Sequence, residues 1–500
     1  MRARGRPVVL DISLKAFHAS SGMVIDRRAV ISLVSANAPL YLNMDRTCIP
    51  SFNGLTARCR FVKGRYNPPH IGVYPLRFSV LIMMAIHTQL RINAERLRND
   101  LDELALIGQT DEGGVTRLAL SQDDVRARNW FANRIEEAGL IVHDDEVGNV
   151  SGILVSDNPD AKTLLVGSHL DTVPNGGRYD GALGVAAGLE CLRIVKESGI
   201  ALPVHLEIVN FTDQEGTWQS FFGSMGLTGM LRELRPNDYR QPVTALRAAL
   251  DTVGIRDTEI HRAKRHPDSI LAYLELHIEQ GDRLDSAGID LGLVTGVVGR
   301  TMLQVTFRGE STHAATTRRE RRRDALHGAA HYITRAYEIV AEEYPEGIFN
   351  CGDVHVKPGQ FNVIPSKAVL RVECRHPDER TLARMEERLC HLAYECAEEH
   401  LLNATCETIL HRPAVDMTES ILRTMETICQ EQGHTYQRMI SLAGHDAQIL
   451  SLFVPAAMLF VPTVDGLSHT PHEFTHWHHI EAGANVLLQT ILRLAEQPRL

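Results

Sequence analysis

Histidine and carboxylate side chains follow four stretches of the chain that have the apolar composition of buried strands. The stretches and their side chains are "GSHLD" with His169 and Asp171, "FTDQEG" with Glu215, "ELHIEQ" with His277 and "GLSHTPHE" with His469. In open α/β sheets the ligand crevice lies at the carboxyl ends of the strands. Imidazole and carboxylate groups suit Zn²⁺, Mn²⁺, Co²⁺ or Ni²⁺. The four strand ends together predict a metal centre.

Two aspartates extend this set. Asp180 follows His169 by eleven residues, across the Gly-rich turn "PNGGRYDG". Asp171 stands two residues beyond His169, where it is placed to orient that imidazole without binding metal itself. Any single histidine among the 24 is more often a surface or core residue. "HWHH" (476–479) is therefore interpreted as a solvated helix start, and "RRERRR" (318–323) as a solvated basic face.

Two hydrophobic patterns divide the chain. Residues 161–173, 204–212 and 271–281 are typical strands, and residues 181–199 are a typical helix. This alternation predicts a mostly parallel sheet covered by helices. From residue 299 the strands alternate with period two, beside amphipathic helices, which predicts a smaller α+β inset. We predict an α/β catalytic domain at 92–298 and 410–500, interrupted by a lid at 299–409.

The first 85 residues differ from the rest. They show no sustained period, and residues 1–92 carry a formal charge of +10 against −20 for residues 93–500. Three interpretations stay open: a transit-like extension, a disordered tail, or upstream sequence translated ahead of a start at Met83 or Met84. The helical pattern that opens at residue 92 favours the third.

Composition excludes several classes of function. A net charge of −10 argues against a nucleic-acid binder, which needs a basic face. No apolar run approaches the roughly 20 residues that span a bilayer. Nine cysteines without a CxxC pair argue against a disulfide framework and favour a reducing, cytoplasmic setting.

The sequence resembles the M20-type amidohydrolases that include N-carbamoyl-L-amino acid hydrolase, β-ureidopropionase and allantoate amidohydrolase. The resemblance runs from about residue 93 to the C-terminus. The motifs that carry it are "GSHLDTVPNGGRYDGALGV", "FTDQEGTW", "ELHIEQG", "STHAATT", "NVIPSKAVLRVECR", "AGHDAQ" and "FVPTVDGLSHTPHEFT". "HIEQG" and "GLSHTPHE" are specific to this amidohydrolase branch. The resemblance implies an aminopeptidase-like catalytic domain with a lid that also forms a homodimer.

The resemblance also implies two divalent metal ions per subunit and a small ureido or carbamoyl substrate. His169, Asp180 and His277 would hold one ion, and Asp180 would bridge to the second, held with Glu215 and His469.

Five further residues match substrate contacts of the family. His313 would polarise the scissile carbonyl, reaching across a dimer interface, and Asn362 and Arg375 would grip the substrate carboxylate. Gln280 and Gly444 would complete the contacts.

The sequence departs from the family at Gln214. The family places a general-base glutamate immediately before the metal-binding Glu215, and an amide cannot accept a proton there. Three explanations stay open: a weakened or inactive member, a base role taken over by Asp213, or a substitution that traps substrate. Trp218 and the "ATTRR" that follows the lid histidine are milder departures.

Three functions are therefore compared. The leading hypothesis is hydrolysis of the ureido C–N bond of an N-carbamoyl-L-amino acid, and allantoate is the nearest alternative substrate. The second is a metal-loaded binding protein that does not turn over, favoured by Gln214. The third is a dipeptidase, which "HIEQG" argues against.

Overall fold

A computed structural model describes residues 90–234 and 242–497 of the 500-residue chain, together with five short strands before residue 44. Those strands are Val9–Ile12 (β1), Ala16–Phe17 (β2), Val24–Ile25 (β3), Val30–Ser35 (β4) and Ala38–Asn43 (β5). They belong to a separate unit, Met1–Ser79, in which β1, β4 and β5 form one antiparallel sheet and β2 pairs with β3. The three interpretations of residues 1–85 concern a segment that lies mostly outside the described residues, and they stay open.

The second unit, Val80–Leu500, contains two sheets. The strands of the larger sheet are Ile141–Asp144 (β6), Val150–Leu154 (β7), Thr163–His169 (β8), His205–Phe211 (β9), Ile270–Ile278 (β10), Leu291–Val297 (β11), Val415–Asp416 (β16), Tyr436–Ser441 (β17) and Ala456–Val461 (β18). The strands of the smaller sheet are Gly299–Arg308 (β12), Ile348–Lys357 (β13), Lys367–His376 (β14) and Asn403–Arg412 (β15).

The described α-helices of this unit, in chain order, are Ala94–Leu106 (α1), Gln122–Glu137 (α2), Ala182–Ser198 (α3), Phe222–Thr228 (α4), Val243–Thr252 (α5), Arg283–Ala287 (α6), Ala325–Glu343 (α7), Glu379–Glu399 (α8), Glu419–Gln432 (α9), Asp446–Ser451 (α10) and Trp477–Ala495 (α11). Short 3₁₀ turns occur at Ile260–Ala263, Pro267–Ser269, Arg319–Arg321 and Val464–Gly466.

The centre of the larger sheet is parallel. Strand β10 pairs in parallel with both β8 and β18, and β8 pairs in parallel with β9. Every residue of β8 and β10 is buried, as expected for strands covered on both faces. The register aligns the carboxyl ends of these strands, since His169 lies opposite Phe211 and His277 opposite Phe460. Loops leaving the four strands therefore start at one edge of the sheet.

Helices α3 and α11 cover this sheet. They are apolar over most of their circumference and most of their residues are buried, so both pack largely inside the molecule. Helix α3 begins directly after Gly181, whose φ of +67° favours glycine. A β-carbon at Gly181 would lie 2.5 Å from the His169 ring, so the close approach of helix and imidazole also requires glycine.

The smaller sheet is antiparallel, with strand order β13-β14-β12-β15. Its strand β14 alternates buried and half-buried residues, and helices α7 and α8 pack over the sheet around a separate core. One finding differs from the sequence expectation of reduced cysteines. A disulfide joins Cys390 of α8 to Cys406 of β15. The packing of α8 on β15 brings their α-carbons to 5.5 Å, a contact that no CxxC motif signals.

The fold class predicted from the sequence is thus confirmed: a mixed α/β body with a largely parallel sheet and a smaller antiparallel α+β layer. In the described part of the chain, no helix combines the length and the apolar character needed to cross a bilayer.

Candidate metal centre

Two imidazoles at the carboxyl ends of β8 and β10 point their Nε2 atoms at one carboxylate. His169 Nδ1 lies 2.9 Å from the backbone carbonyl of Asp171, and His277 Nδ1 lies 2.9 Å from the carbonyl of Ile278. A carbonyl oxygen only accepts, so each Nδ1 carries the proton. The two Nε2 atoms lie 3.6 and 3.2 Å from Asp180 Oδ1, and each presents a lone pair once its ring is neutral. This is the arrangement of histidines that bind metal through Nε2. Burial opposes protonation of His277, but the hydrogen bond and the charge of Asp180 outweigh it and raise the pKa of His277 to about 9, so a metal ion would have to displace a proton from this ring.

The carboxylate of Asp180 faces two separate groups of ligand-type atoms. Its Oδ1 faces His169 and His277, whereas its Oδ2 lies 3.3 Å from His469 Nε2. His469 Nε2 in turn lies 3.4 Å from Glu215 Oε1. Two triads result, and the ligand atoms within each lie within 4.8 Å of one another. Asp180 belongs to both triads, and the family resemblance implies that it is a bridging ligand.

Burial and charge set the protonation of this cluster. Burial opposes ionisation of Asp180, but hydrogen bonds with His277 and His469, followed by the charge of a protonated His277, outweigh it and hold the pKa of Asp180 well below its ordinary value. Burial, followed by the charge of Asp180, raises the pKa of Glu215 well above its ordinary value. Burial lowers the pKa of His169 to about 4, which keeps its imidazole neutral near pH 7.

These residues fit divalent cations. His169 Nε2 is buried and no described polar atom hydrogen-bonds to it, which is costly unless a cation takes its lone pair. Glu215 is mostly buried, and the charge of Asp180 adds to its cost of ionisation, which a cation between the two carboxylates would relieve. Imidazole and carboxylate donors are the ligand types of Zn²⁺, Mn²⁺, Co²⁺ and Ni²⁺.

Asp171 orients the site differently from the prediction. The sequence analysis expected its side chain to orient His169, but its backbone carbonyl does so at 2.9 Å, while its carboxylate oxygen is 3.7 Å from His169 Nδ1. The carboxylate instead accepts hydrogen bonds from the backbone N–H groups of Gln214 and Glu215. One residue therefore fixes both the ring of His169 and the peptide that carries Glu215.

Gln214 connects this peptide to a second loop. Its Nε2 donates to the carbonyl of Gly444 at 3.0 Å, in the loop between β17 and α10. The side chain of Gln214 is buried. Of its two chain neighbours, Glu215 is held by the Asp171 carboxylate, and Asp213 is held by the turn that follows. The neighbouring Asp213 accepts hydrogen bonds from the N–H groups of Trp218 and Gln219, so its oxygens stabilise the turn.

The side chain of Trp218 is held by the core, because its indole Nε1 donates to the carbonyl of Ala119 and its ring packs against buried apolar residues.

Arg375 reaches the same second loop from the smaller sheet. Its guanidinium donates to the carbonyl of Leu442 at 2.6 Å and to Glu373 at 2.7 Å. Leu442 lies two residues before Gly444, so a chain of contacts runs from Glu215 through Gln214 and this loop to Arg375.

Gln280 lies at the metal centre itself. Its Nε2 is 2.7 Å from Asp180 Oδ2 and 3.3 Å from His469 Nε2. Its φ of +61° and its buried, unpartnered Oε1 set it apart from an ordinary loop glutamine. The residue predicted as a substrate contact is therefore positioned beside the bridging carboxylate.

His313 and Asn362 lie together but apart from the cluster. The carbonyl of Asn362 accepts from Ala314 N–H at 2.9 Å, and His313 pairs with Val363 in an isolated bridge. Both side chains are exposed, and His313 Nδ1 accepts from the N–H groups of Ala315 and Thr316. Within the described residues, no hydrogen bond or ion pair joins His313 to the triads.

Sequence reasoning missed a layer of buried polar residues behind the triads. Glu473 accepts from the N–H groups of Tyr179 and Asp180 and from the hydroxyl of Ser468, so it fixes the backbone of the bridging residue. The signal was available, because Glu473 follows His469 by four residues within the quoted motif.

On the opposite side, His445 packs edge-on against His277 at 4.5 Å between ring centroids. Glu275, two residues before His277 on the same face of β10, accepts from Ser168 Oγ and from Ala447 N–H.

The chain is similar to known proteins in both sequence and structure. The sequence profile described as "Peptidase family M20/M25/M40" matches residues 165–493. An N-carbamoyl-L-amino acid amidohydrolase of Geobacillus stearothermophilus is 35% identical over 408 residues, which cover 81% of this chain and 99% of that protein. Allantoate amidohydrolase of Bacillus subtilis (strain 168) is 33% identical over 79% of this chain and 96% of its own length.

Among solved structures, an amidase of the hydantoinase/carbamoylase family from Burkholderia vietnamiensis superposes with a TM-score of 0.72. Its sequence identity is 32%, and the superposition covers 82% of this chain and 99% of that one.

Proposed function

Because the chain belongs to peptidase family M20/M25/M40, a family of metal-dependent hydrolases, we propose that it hydrolyses the ureido C–N bond of an N-carbamoyl-L-amino acid. The products are the amino acid, ammonia and carbon dioxide. The observation that carries the proposal is the meeting of His169, Asp180, His277, Glu215 and His469 at one edge of the parallel sheet.

The proposal assigns one divalent ion to His169, His277 and Asp180, and a second to Asp180, Glu215 and His469. Bound there, two such ions would supply Lewis-acid chemistry and lower the pKa of water at the site. The chain's own contribution is to fix the ligands. The carbonyls of Asp171 and Ile278 hold both imidazoles in the tautomer that presents Nε2, and Glu473 holds the backbone of Asp180.

We assign substrate recognition to residues of the smaller antiparallel α+β layer and to residues at the edge of that layer. Arg375 and Asn362 would bind the substrate carboxylate, and residues 299–409 would form a lid and dimerisation domain. His313 is exposed and separate from the triads of its own chain, which supports the proposal that it serves the site of a second subunit in a homodimer. Gln280 and Gly444 line the remaining approach, since one contacts Asp180 and the other binds Gln214.

Gln214 limits the rate in this proposal. Its amide can hold a water by hydrogen bonding but cannot take the proton that hydrolysis releases. Loss of a general base typically lowers the rate by roughly 10²–10⁴-fold. The proposed enzyme is therefore competent in metal binding and substrate positioning but slow in turnover.

The test is an activity panel with native protein and Gln214→Glu, each loaded in turn with Mn²⁺, Zn²⁺, Co²⁺ and Ni²⁺. The substrates are N-carbamoyl-L-amino acids of several side chains, allantoate and a dipeptide. We expect carbamoyl turnover that rises by about 10²-fold or more in Gln214→Glu. Absence of ureido or amide cleavage by both proteins, under every metal, would overturn the proposal, and preference for allantoate would reassign the substrate.

A second candidate rests on the same residue. With the ligands intact and the base position neutral, the chain could act as a metal-loaded protein that binds the carbamoyl compound without cleaving it. Titration calorimetry with a carbamoyl amino acid separates the two functions. Tight binding with no turnover in native protein, and rescue by Gln214→Glu, would favour the binding role.

A further inference from the structure

A second cluster of metal-type side chains lies in the smaller layer, outside the triads. His327 and His331 stand four residues apart on α7, and Glu399 and His400 stand at the end of α8. Residues four apart lie on one face of a helix, and a His pair at this spacing is a recurrent metal-binding arrangement. Helix α7 packs on α8, which brings the two pairs together.

The ligand atoms of this cluster have the separations found around a single ion. His331 Nδ1 is 3.1 Å from His400 Nε2 and 3.3 Å from Glu399 Oε2. Bonds of about 2.0–2.1 Å from one ion, opening at roughly 90–109°, place two ligand atoms about 2.9–3.4 Å apart. All three atoms lie within 4.8 Å of one another. Both separations from His331 Nδ1 therefore fit one shared ion.

Neighbouring side chains hold these ligands in place. Arg335 donates to Glu399 Oε1 at 2.9 Å, which leaves Oε2 turned towards His331. His327 packs edge-on against His400, with ring centroids 4.4 Å apart. Gly328 allows α7 to approach the segment that follows α8, because a β-carbon at position 328 would lie 2.4 Å from the side chain of Leu402. Partners that orient ligand side chains in this way are typical of metal sites.

The facing imidazole nitrogens of His331 and His400 favour a cation as well. In the absence of an ion, one of the two facing nitrogens of His331 and His400 must carry a proton and donate it to the other. An ion takes the place of that shared proton.

We propose that His331, His400 and Glu399 form a surface site for a divalent transition-metal ion of the Zn²⁺ class, separate from the hydrolytic centre. His327 and Arg335 are its positioning residues. The half-exposed ligands leave further coordination positions for water. The ion joins the first half of α7 to the end of α8, and so ties together the two helices that cover the smaller sheet.

The test measures the number of Zn²⁺ ions bound per chain after equilibrium dialysis, by inductively coupled plasma mass spectrometry. Native protein is compared with His331→Ala. We expect native protein to bind one more Zn²⁺ than His331→Ala, and His400→Gln to show the same loss. His391→Ala is the matched control, because His391 is an exposed histidine of α8 that pairs with Glu395 outside the cluster. It should bind as many ions as native protein, and all variants should keep the native circular dichroism spectrum.

A second background separates this site from the hydrolytic one. When His331→Ala is added to His169→Ala/His277→Ala protein, the same loss of one Zn²⁺ should be measured, because the two sites share no ligand. Equal Zn²⁺ counts in native protein, His331→Ala and His400→Gln would overturn the proposal. So would an extra ion that is bound only as protein concentration rises, since that ion would lie between chains.

Discussion

Single residues at the metal centre do two tasks each. Asp171 orients His169 through its carbonyl and holds the peptide of Glu215 through its carboxylate. Gln214 occupies the base position and ties its loop to Gly444. Substitutions at these two positions should therefore change more than one measurable property.

The first prediction concerns the structural cost of restoring an acid at position 214. A glutamate there has no N–H to donate to the Gly444 carbonyl, so Gln214→Glu should lower the free energy of unfolding by about 0.5–1.5 kcal/mol while raising turnover. Chemical denaturation measures the stability change.

Gln219→Glu is the control, because Gln219 is a buried glutamine of the same turn whose amide donates to the carbonyl of Glu233. It should give no gain in turnover. An equal gain in both variants would show that added negative charge, and not the base position, raises the rate.

The second prediction concerns Asp171. In Asp171→Asn one oxygen acceptor becomes an N–H₂ donor that faces a backbone N–H, so the peptide of Glu215 loses one of its two supports. We expect metal affinity to fall by about 10–100-fold, as is typical for outer partners of metal ligands. Competition with a fluorescent chelator measures it.

Asp213→Asn gives the comparison for Asp171→Asn, since Asp213 holds only the N–H groups of the following turn. A fall in affinity of the same size in Asp213→Asn would contradict the specific role of Asp171.

Three ligands of the candidate centre were predictable from strand periodicity, because they stand at or near the end of a strand, whereas Asp180 and His469 lie further along the loops that follow. Residue types and strand periodicity are local information, and they located His169, His277 and Glu215. The contact of Gln214 with Gly444 was not predictable, because 230 residues separate the two in the chain. The role of the Asp171 carbonyl was also hidden, since any residue type supplies a carbonyl.

At the scale of elements, the loop between β17 and α10 joins the two sheets. It carries the carbonyls of Leu442 and Gly444, which accept from Arg375 of β14 and from Gln214 of the larger sheet. Hydrogen bonds from both sheets therefore hold this loop.

The third prediction concerns Arg375. Lysine cannot reproduce the planar fork of the guanidinium, so Arg375→Lys should raise the KM for carboxylate substrates by about 10–100-fold, corresponding to a loss of roughly 1.5–3 kcal/mol. Steady-state kinetics on a carbamoyl amino acid and on its amide-capped analogue measure it.

Arg371→Lys is the matched variant for Arg375→Lys. Arg371 lies on the same face of β14 and pairs with Asp353. We expect its KM to stay within about twofold of native, and the capped substrate to be insensitive to both changes. Equal effects in the two variants would assign the loss to the strand and not to the Arg375 side chain.

At the scale of the whole molecule, the sheet edge gathers buried carboxylates and imidazoles that repel or desolvate one another. Ions bound there would stabilise the folded chain by mass action, and the proposed ligands are spread from residue 169 to residue 469 of the sequence. Removal of the ions should therefore destabilise the larger sheet as one unit.

The fourth prediction is the effect of chelation. Treatment with EDTA should lower the free energy of unfolding, by about 2.7 kcal/mol if the free metal concentration was 100 times its Kd. Differential scanning calorimetry should show a lower Tm that Mn²⁺ or Zn²⁺ restores. The same treatment of His169→Ala/His277→Ala should have a much smaller effect, and an unchanged Tm in native protein would count against metal at this centre.

The division into a parallel and an antiparallel layer followed from periodicity. Apolar runs such as β8 and β10 require cover on both faces, whereas the alternation in β12 and β14 requires cover on one. The order of the strands and the disulfide could not be predicted from periodicity, because both depend on which distant segments of the chain come into contact. Cys390 and Cys406 are brought together only once α8 lies on β15.

The guanidinium of Arg375 is already occupied before any substrate arrives, by a neutral carbonyl on one side and by Glu373 on the other. If Arg375 binds a substrate carboxylate, as proposed, the substrate joins or replaces partners that the guanidinium already has. The measured affinity then reports the difference between the new contacts and any that are lost. Displacement of the Leu442 carbonyl would also remove one support of the loop that carries Gly444, the hydrogen-bond partner of Gln214.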